Sequence, residues 1–246
     1  MSIQIFFGVG NLVLTRTDVA YSTPTQFGVI QDVEIDFDFT NKMLVGQNQF
    51  PVDVARGEGK IAGKAKVAQI YARGVNDAFF GQTLTTAGGV VYTQNEAHTV
   101  ATTTLQVTNH TGFIADQGVF YASSGVQLVQ VAPGSEAAGK YSVNNTTGTY
   151  TFNVADEVAL MFNYTWQSTT GASEISIANQ LMGTSPVFSM LLAGTYKGNS
   201  IAIKLNAAIS TKLTLPFKNT DYAIQDFEFS AYADAAGNIG TITLTQ

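Results

Sequence analysis

The sequence predicts a mainly β protein, with a β-sandwich or barrel-forming core, one flanking helix and a small inserted β-sandwich. Three observations support this fold class. Most segments are short alternating runs rich in Val, Ile, Thr, Phe and Tyr, separated by Gly or Asn, and this pattern is typical of strands. Only one stretch shows helical spacing. A central stretch differs in composition from the parts on either side of it.

The first part of the core, residues 1–82, contains two clearly alternating strands. In residues 33–39 the odd positions are apolar, while the even positions of 32–38 are acidic: Asp32, Glu34, Asp36 and Asp38. Residues 60–67 also alternate, with Lys60, Lys64 and Lys66 on one face. Apolar residues within 67–80 fall near helical spacing and Gly81 follows them, so we predict one helix there.

The central stretch, residues 83–174, is predicted to be an inserted β-rich outer domain. Within residues 83–170 there are five acidic residues and a single base, Lys140, among many Thr, Val, Gly, Ser and Asn. Turn signals separate short strands at intervals of about 8–12 residues, which indicates a small sandwich. The earlier pattern resumes in residues 175–246, where 223–229 repeat the alternation of acidic and aromatic residues. The core is therefore predicted to be discontinuous.

Composition restricts the classes of function. Charged residues make up 12% of the chain, about half the usual share, and a neutral polar surface is easily desolvated against other copies. The net charge of −6 argues against binding nucleic acid by neutralising phosphates. There are no cysteines, so disulfides are excluded. With neither a signal-like leader nor an apolar run of membrane length, we expect a soluble protein made in a cytoplasm, without membrane insertion.

Catalysis is poorly supported, and we predict that the chain is not an enzyme and has no catalytic, cofactor-binding or metal site. Its two histidines, His98 and His110, lie in the Thr- and Asn-rich insert without a third ligand nearby in sequence. A Ser-His-Asp arrangement stays open, although no Gly-x-Ser-x-Gly motif supports one. Residues 57–64 resemble a phosphate loop, but the glycine spacing is wrong and Ala65 replaces the Ser or Thr.

The acidic row from Asp32 to Asp38 requires compensation, because like charges on one strand face repel each other. A calcium site is one interpretation, but alternate strand residues lie about 7 Å apart and do not converge on one ion. A second is pairing with Lys60, Lys64 and Lys66 on a neighbouring strand. In a third, the row lines an aqueous channel and its field repels a polyanion. The last two can coexist, and Asp226 and Glu228 favour the channel.

Residues 41–57 are predicted to form an unusually long connection between two strands, well beyond the common 2–5 residues. Their apolar side chains should dock on a surface, either of the same domain or of another copy. Since a monomer would need only a short turn, we favour contact with another copy.

Several segments resemble phage major tail proteins, which form the tail tube. They are residues 31–39, 46–51 (Gly-Gln-Asn-Gln-Phe-Pro), 55–64, 76–81, 215–219 and 231–240. The resemblance covers roughly 1–82 and 175–246 and is one of overall pattern. It implies a β-sandwich with a flanking helix, six-membered rings, strands of all copies joined around a lumen, and a long hairpin loop contacting the next ring.

The resemblance also implies roles for individual residues. The candidate lumen-facing residues are Asp32, Glu34, Asp36 and Asp38, to which the repeated acidic alternation adds Asp226 and Glu228. The candidate compensating lysines of the pairing interpretation given above are Lys60, Lys64 and Lys66. The candidate ring-stacking loop contains Lys42, Met43, Leu44, Val45, Gln47, Asn48, Gln49, Phe50, Pro51 and Val52.

The expected function is therefore that of a structural virion protein. We expect a homo-oligomer of stacked rings, assembled in the host cytoplasm and located in the virion tail, through which DNA passes during ejection without specific binding. Expected partners are the tape measure, terminator and baseplate proteins and a sheath in contractile tails. Alternatives are a capsid or decoration protein, or a carbohydrate-binding adhesin with Tyr121, Tyr141, Tyr150, Tyr164 and Trp166 as a stacking platform. We favour a core position for these aromatic residues.

Overall fold

The computed structural model describes residues 7–69 and 71–245. Strands hold 54% of the residues and helices 6%, which confirms the predicted mainly β fold. The chain divides into two compact units. The discontinuous unit contains the residues up to Leu84 and those from Ile175 onward, and the inserted unit is Thr85–Glu174.

The strands of the described residues are numbered in chain order. They are β1 (Asn11–Arg16), β2 (Thr25–Phe27), β3 (Ile30–Val45), β4 (Pro51–Val67), β5 (Leu84–Thr85), β6 (Gly89–Thr99), β7 (Thr104–Gln106), β8 (Phe113–Tyr121), β9 (Val129–Gln130), β10 (Lys140–Asn144), β11 (Thr149–Phe152), β12 (Ala159–Ser168), β13 (Glu174–Ile175), β14 (Phe188–Tyr196), β15 (Asn199–Thr214), β16 (Gln225–Tyr232) and β17 (Gly240–Leu244). The short β5 and β13 pair with each other.

The discontinuous unit is built on one eight-stranded sheet in the order β2-β1-β14-β15-β16-β4-β3, with β17 beside the first part of β15. The sheet folds over on itself. Two residues connect β2 at one edge to β3 at the other, and the Ala68 amide donates to the Val29 carbonyl at 3.0 Å. Phe27 of β2 stacks on Phe227 of β16 with ring centroids 5.3 Å apart. The apolar faces of the sheet therefore enclose a common core.

The helix is shorter than the sequence predicts. It consists of α1 (Ala72–Val75) and a π-helical turn (Asn76–Phe80), and it ends at Gly81 in the left-handed region at φ 60°. The predicted start at Val67 is wrong, because Val67 lies in β4 and pairs with Ile30 and Gln225. Ile70 of the predicted helix lies outside the described residues. The same is true of the residues before Phe7, which the expectation of no leader concerns.

The inserted unit is a small β-sandwich. One sheet has the order β7-β11-β10-β9 and the other β6-β12-β8. Their facing sides pack into a separate apolar core that includes Tyr141, Tyr150 and Tyr164, each at most 2% exposed. This unit has its own core because strands from both sheets contribute alternating inward side chains.

Candidate assembly surfaces

A polar face covers four neighbouring strands of the discontinuous unit, β15, β16, β4 and β3. The register places Lys64 of β4 between Glu34 of β3 and Glu228 of β16, and Lys66 between Asp32 and Asp226. The charged side chains of these strands thus meet on one face of the sheet. The apolar side chains that alternate with them in sequence lie on the opposite face, towards the core.

Ion pairs connect this face. Lys64 Nζ lies 2.6 Å from Glu34 Oε2, Lys66 Nζ lies 3.8 Å from Asp32 Oδ2, and Lys212 Nζ of β15 lies 3.0 Å from Glu228 Oε1. The hydrogen bond to Glu34 raises the pKa of Lys64. All six side chains are about half exposed, so solvent screens each pair and its contribution to stability is small.

The acidic row extends beyond these ion pairs. Asp38 lies opposite Lys60 and Asp36 lies opposite Ala62, but neither carboxylate has an ion-pair partner among the described residues. The predicted acidic residues of the polar face supply six carboxylates, and its lysines supply four ammonium groups. The acidic residues are Asp32, Glu34, Asp36, Asp38, Asp226 and Glu228, and the lysines are Lys60, Lys64, Lys66 and Lys212. Its net charge is therefore negative.

The predicted long connection is a paired hairpin instead of a loop. Asn41 pairs with Arg56, Met43 with Val54, and Val45 with Pro51. Only residues 46–50 connect the two strands, which is an ordinary length for a hairpin. These strands are not recognisable in the sequence, because neither face of the hairpin is buried. No alternation of polar and apolar residues therefore marks them.

The hairpin projects as an exposed structure, which we call the arm (residues 41–56). Every residue of the arm is exposed. Its apolar side chains are each more than half exposed: Met43, Leu44, Val45, Phe50, Val52 and Val54. Phe50 at the tip is 80% exposed. The arm therefore does not dock on its own chain, and its apolar surface is free for another molecule.

An apolar groove lies at the base of the arm, and we call it the base groove. It has a volume of about 250 Å³. Phe37, Phe39 and Ile61 form one side, and residues of β15 and β17 with the segment just before β17 form the other: Ile203, Lys204, Leu205, Ile239, Gly240, Thr241 and Ile242. The Arg56 guanidinium carbon lies 4.1 Å from the Phe39 ring centroid. The groove and the arm are thus carried by the same two strands.

The four-stranded polar face ends in two unpaired strand edges. On one side, β3 pairs only with β4. On the other side, residues 209–214 of β15 pair with β16, while β14 pairs with β15 only up to Ala208. Within the described residues, neither edge has a further strand beside it. Such edges present free N–H and C=O groups that can pair with another chain.

The inserted unit uses its tyrosine hydroxyls internally. Asp116 accepts hydrogen bonds from Tyr141 at 2.5 Å and Tyr150 at 2.8 Å, and burial raises the pKa of both tyrosines. Asp156 accepts from Tyr121, which raises the pKa of Tyr121 to about 12. These side chains satisfy buried polar groups, so Tyr141, Tyr150 and Tyr164 do not form an exposed stacking platform.

Glu96 is the other polar centre of the inserted unit. It accepts from the Tyr164 hydroxyl at 2.5 Å and from the Thr108 amide at 2.9 Å, and its other close neighbour is the ring of His98. Burial acts to raise the pKa of Glu96, but these hydrogen bonds outweigh it and lower the pKa to about 2. His98 thus takes part in a local hydrogen-bond network, and His110 contacts the Val107 carbonyl.

Other predicted features can also be placed. Residues 57–64, the phosphate-loop candidate, lie within β4. Across residues 7–69 and 71–245, no three His, Asp or Glu side chains are grouped so that they could hold a metal ion. No helix in the part of the chain that the structure describes is long and apolar enough to cross a membrane.

Comparison with protein-family models and with curated protein sequences finds no match for this chain.

Proposed function

We propose that this chain is the subunit of a phage tail tube, which self-assembles into rings that stack around a channel for DNA. The observation that carries the proposal is the pair formed by an exposed apolar arm and an apolar base groove on one molecule. Its function is mechanical and needs no chemistry. The resemblance in sequence supplies the number of six subunits per ring.

The distance between the arm tip and the base groove favours contact between two copies over contact within one copy. Phe39 lines the groove, and the strand continues from Phe39 to Val45 over six residues, or about 20 Å. A paired hairpin cannot fold back over that distance, so Phe50 at the tip cannot enter the groove of its own copy. The tip of one copy enters the base groove of the next copy instead. Such a heterologous contact does not close between two copies and repeats along an axis.

Ring closure uses the two free edges of the polar face. We assign β3 of one copy to pair with residues 209–214 of β15 in the neighbouring copy. Two β3 edges would bring two acidic rows together, which is unfavourable because like charges repel. The β15 edge instead carries Lys212, which complements the unpaired Asp36 and Asp38. The pairing is again heterologous, and a rotation between copies closes it into a ring.

The channel surface follows from this closure. The apolar side of β4, β16 and the first part of β3 packs on the core of the unit, so the polar face is the side that can line water. A surface with six carboxylates and four ammonium groups has a weak negative field, which keeps DNA from adhering to it. In this arrangement Asp32, Glu34, Asp36, Asp38, Asp226 and Glu228 face the lumen.

Negative-stain electron microscopy of the purified chain over a concentration series tests the proposed function. We expect stacked rings or hollow tubes with a channel of roughly 20 Å or more. Shells, or particles without a channel at every concentration, would reject the tail-tube function in favour of a capsid or decoration protein.

Crosslinking tests the stacking contact separately. The chain contains no cysteine, so the double variant Phe50→Cys, Ile242→Cys has only the two designed thiols. We expect a short bifunctional maleimide to give a ladder of covalent multimers from assembled protein. The matched control, Phe217→Cys with Ile242→Cys, uses another highly exposed phenylalanine and should stay monomeric. Tubes without a ladder would mean that the arm packs elsewhere.

A further inference from the structure

The outer face of one sheet of the inserted unit contains two β-bulges at the same level. The central strand β12 pairs Phe162 with Glu96 and Tyr164 with Thr93, so β6 has one extra residue there. On its other side, β12 pairs Asn163 with Gly118 and Tyr164 with Asp116, so β8 also has one extra residue. Paired bulges bend the sheet and redirect side chains, and such features are concentrated near binding sites.

The bulges place four amide side chains around a groove. Asn95 of β6 has a positive φ of 56°, an uncommon conformation for a residue other than glycine. Gln94 and Asn95 lie on one side, Gln117 lies on the other, and Asn163 of β12 is between them. The groove has a volume of about 510 Å³, within the range of small-ligand sites.

Asn163 is only 6% exposed and lines this groove. Its Oδ1 accepts the Asn95 amide at 2.6 Å. Its Nδ2 has no hydrogen-bond acceptor among the described residues, and the Gln94 and Gln117 side chains likewise have no partner there. This Nδ2 is not sealed from solvent, so it is open to the groove and can donate to an external acceptor.

Aromatic and apolar side chains flank the amides. Tyr92 is 53% exposed, and Phe120 and Met161 also line the groove. No charged side chain lines it. A ligand that fits must be neutral, with apolar faces for the rings and many hydroxyl groups for the amides, which can both donate and accept. Neutral saccharides combine these properties.

We propose that this groove binds a neutral saccharide, with Tyr92 as the ring-stacking residue and Gln94, Asn95, Gln117 and Asn163 as hydroxyl-binding residues. This site is independent of the proposed tube function, because every contributing residue lies in the inserted unit. It also differs from the aromatic platform predicted from sequence, since most of that platform is buried. The inserted unit thus adds a glycan-binding surface to the molecule.

Saturation-transfer NMR on the full chain tests the site, with maltohexaose, cellohexaose, xylohexaose and chitohexaose as neutral probes and polygalacturonate as an acidic one. We expect binding of at least one neutral probe with a Kd on the order of 1 mM, which is typical of an open site with few contacts. We expect Tyr92→Ala to weaken it about tenfold and Gln117→Ala about threefold. Both residues are exposed, so their variants should fold.

Tyr222→Ala is the matched control, because Tyr222 is an exposed tyrosine of the other unit. It should leave binding unchanged. Three outcomes would overturn the proposal: no signal from any neutral probe at about 10 mM, equal binding by wild type and Tyr92→Ala, or preferential binding of polygalacturonate.

Discussion

The two units of this chain treat their exposed surfaces in opposite ways. The inserted unit buries most of its large aromatic residues and satisfies tyrosine hydroxyls with Asp116, Asp156 and Glu96. The discontinuous unit exposes the whole arm, including its apolar side chains, and two strand edges. A small sandwich can be stable alone when its core is closed and its polar groups are paired. An exposed apolar arm lowers the solubility of a single subunit, so it indicates a surface that contacts other copies.

The largest expected effect comes from removing the arm. Replacing residues 44–53 by Asn-Gly closes the hairpin at the Met43–Val54 pair with a two-residue turn. The subunit should remain folded because no core residue is removed. We expect electron microscopy to show single rings without tubes. Tubes of wild-type length from this variant would contradict the role of the arm in stacking.

The next effect concerns ring closure. Lys212→Glu replaces the lysine that complements Asp36 and Asp38 of the neighbouring copy by a like charge, so we expect the concentration needed for assembly to rise about tenfold. Sedimentation over a concentration series measures this. Lys218→Glu is the control, since Lys218 is also a half-exposed lysine in an ion pair. An equal shift for both variants would show only a general effect of net charge.

The inserted unit should respond to acid through Glu96. Its pKa is lowered to about 2 in the folded state from 4.5, so the folded state binds the proton less readily than the unfolded state. This contribution to stability is present above about pH 4.5 and decreases as the pH falls towards 2. Glu96→Gln should remove that part of the pH dependence. Thermal unfolding followed by tyrosine absorbance between pH 2 and 7 would measure it.

The smallest effect is expected for the ion pairs of the polar face. Lys64→Ala removes the pair with Glu34, and both side chains of this pair are about half exposed, so the free energy of unfolding of dispersed subunits should change by no more than the scatter between repeated unfolding curves. Urea unfolding measures this change. A loss several times larger would mean that the polar face is shielded from solvent in the single subunit.

The alternation of residues 33–39 and 60–67 identified two strands and their faces correctly, because the apolar face of β4 is buried and that of β3 is partly buried at Val33 and Ile35. The same rule failed for the arm, where both faces are exposed and alternation has no meaning. The helical pattern was wrong for Val67, which lies in β4 and pairs with Gln225. The candidate saccharide groove was not predicted, since only bulges created by pairing bring Gln94, Gln117 and Asn163 together.

The sequence by itself determined the β class, the acidic face of one strand, the lysine face of another, and the low density of charge. These properties depend on local alternation and composition. Only the tertiary structure decided which strands are neighbours, that Lys64 lies between Glu34 and Glu228, and that the apolar hairpin projects into solvent. Strand order and exposure depend on pairing between residues far apart in the chain, and local sequence patterns do not specify such pairing.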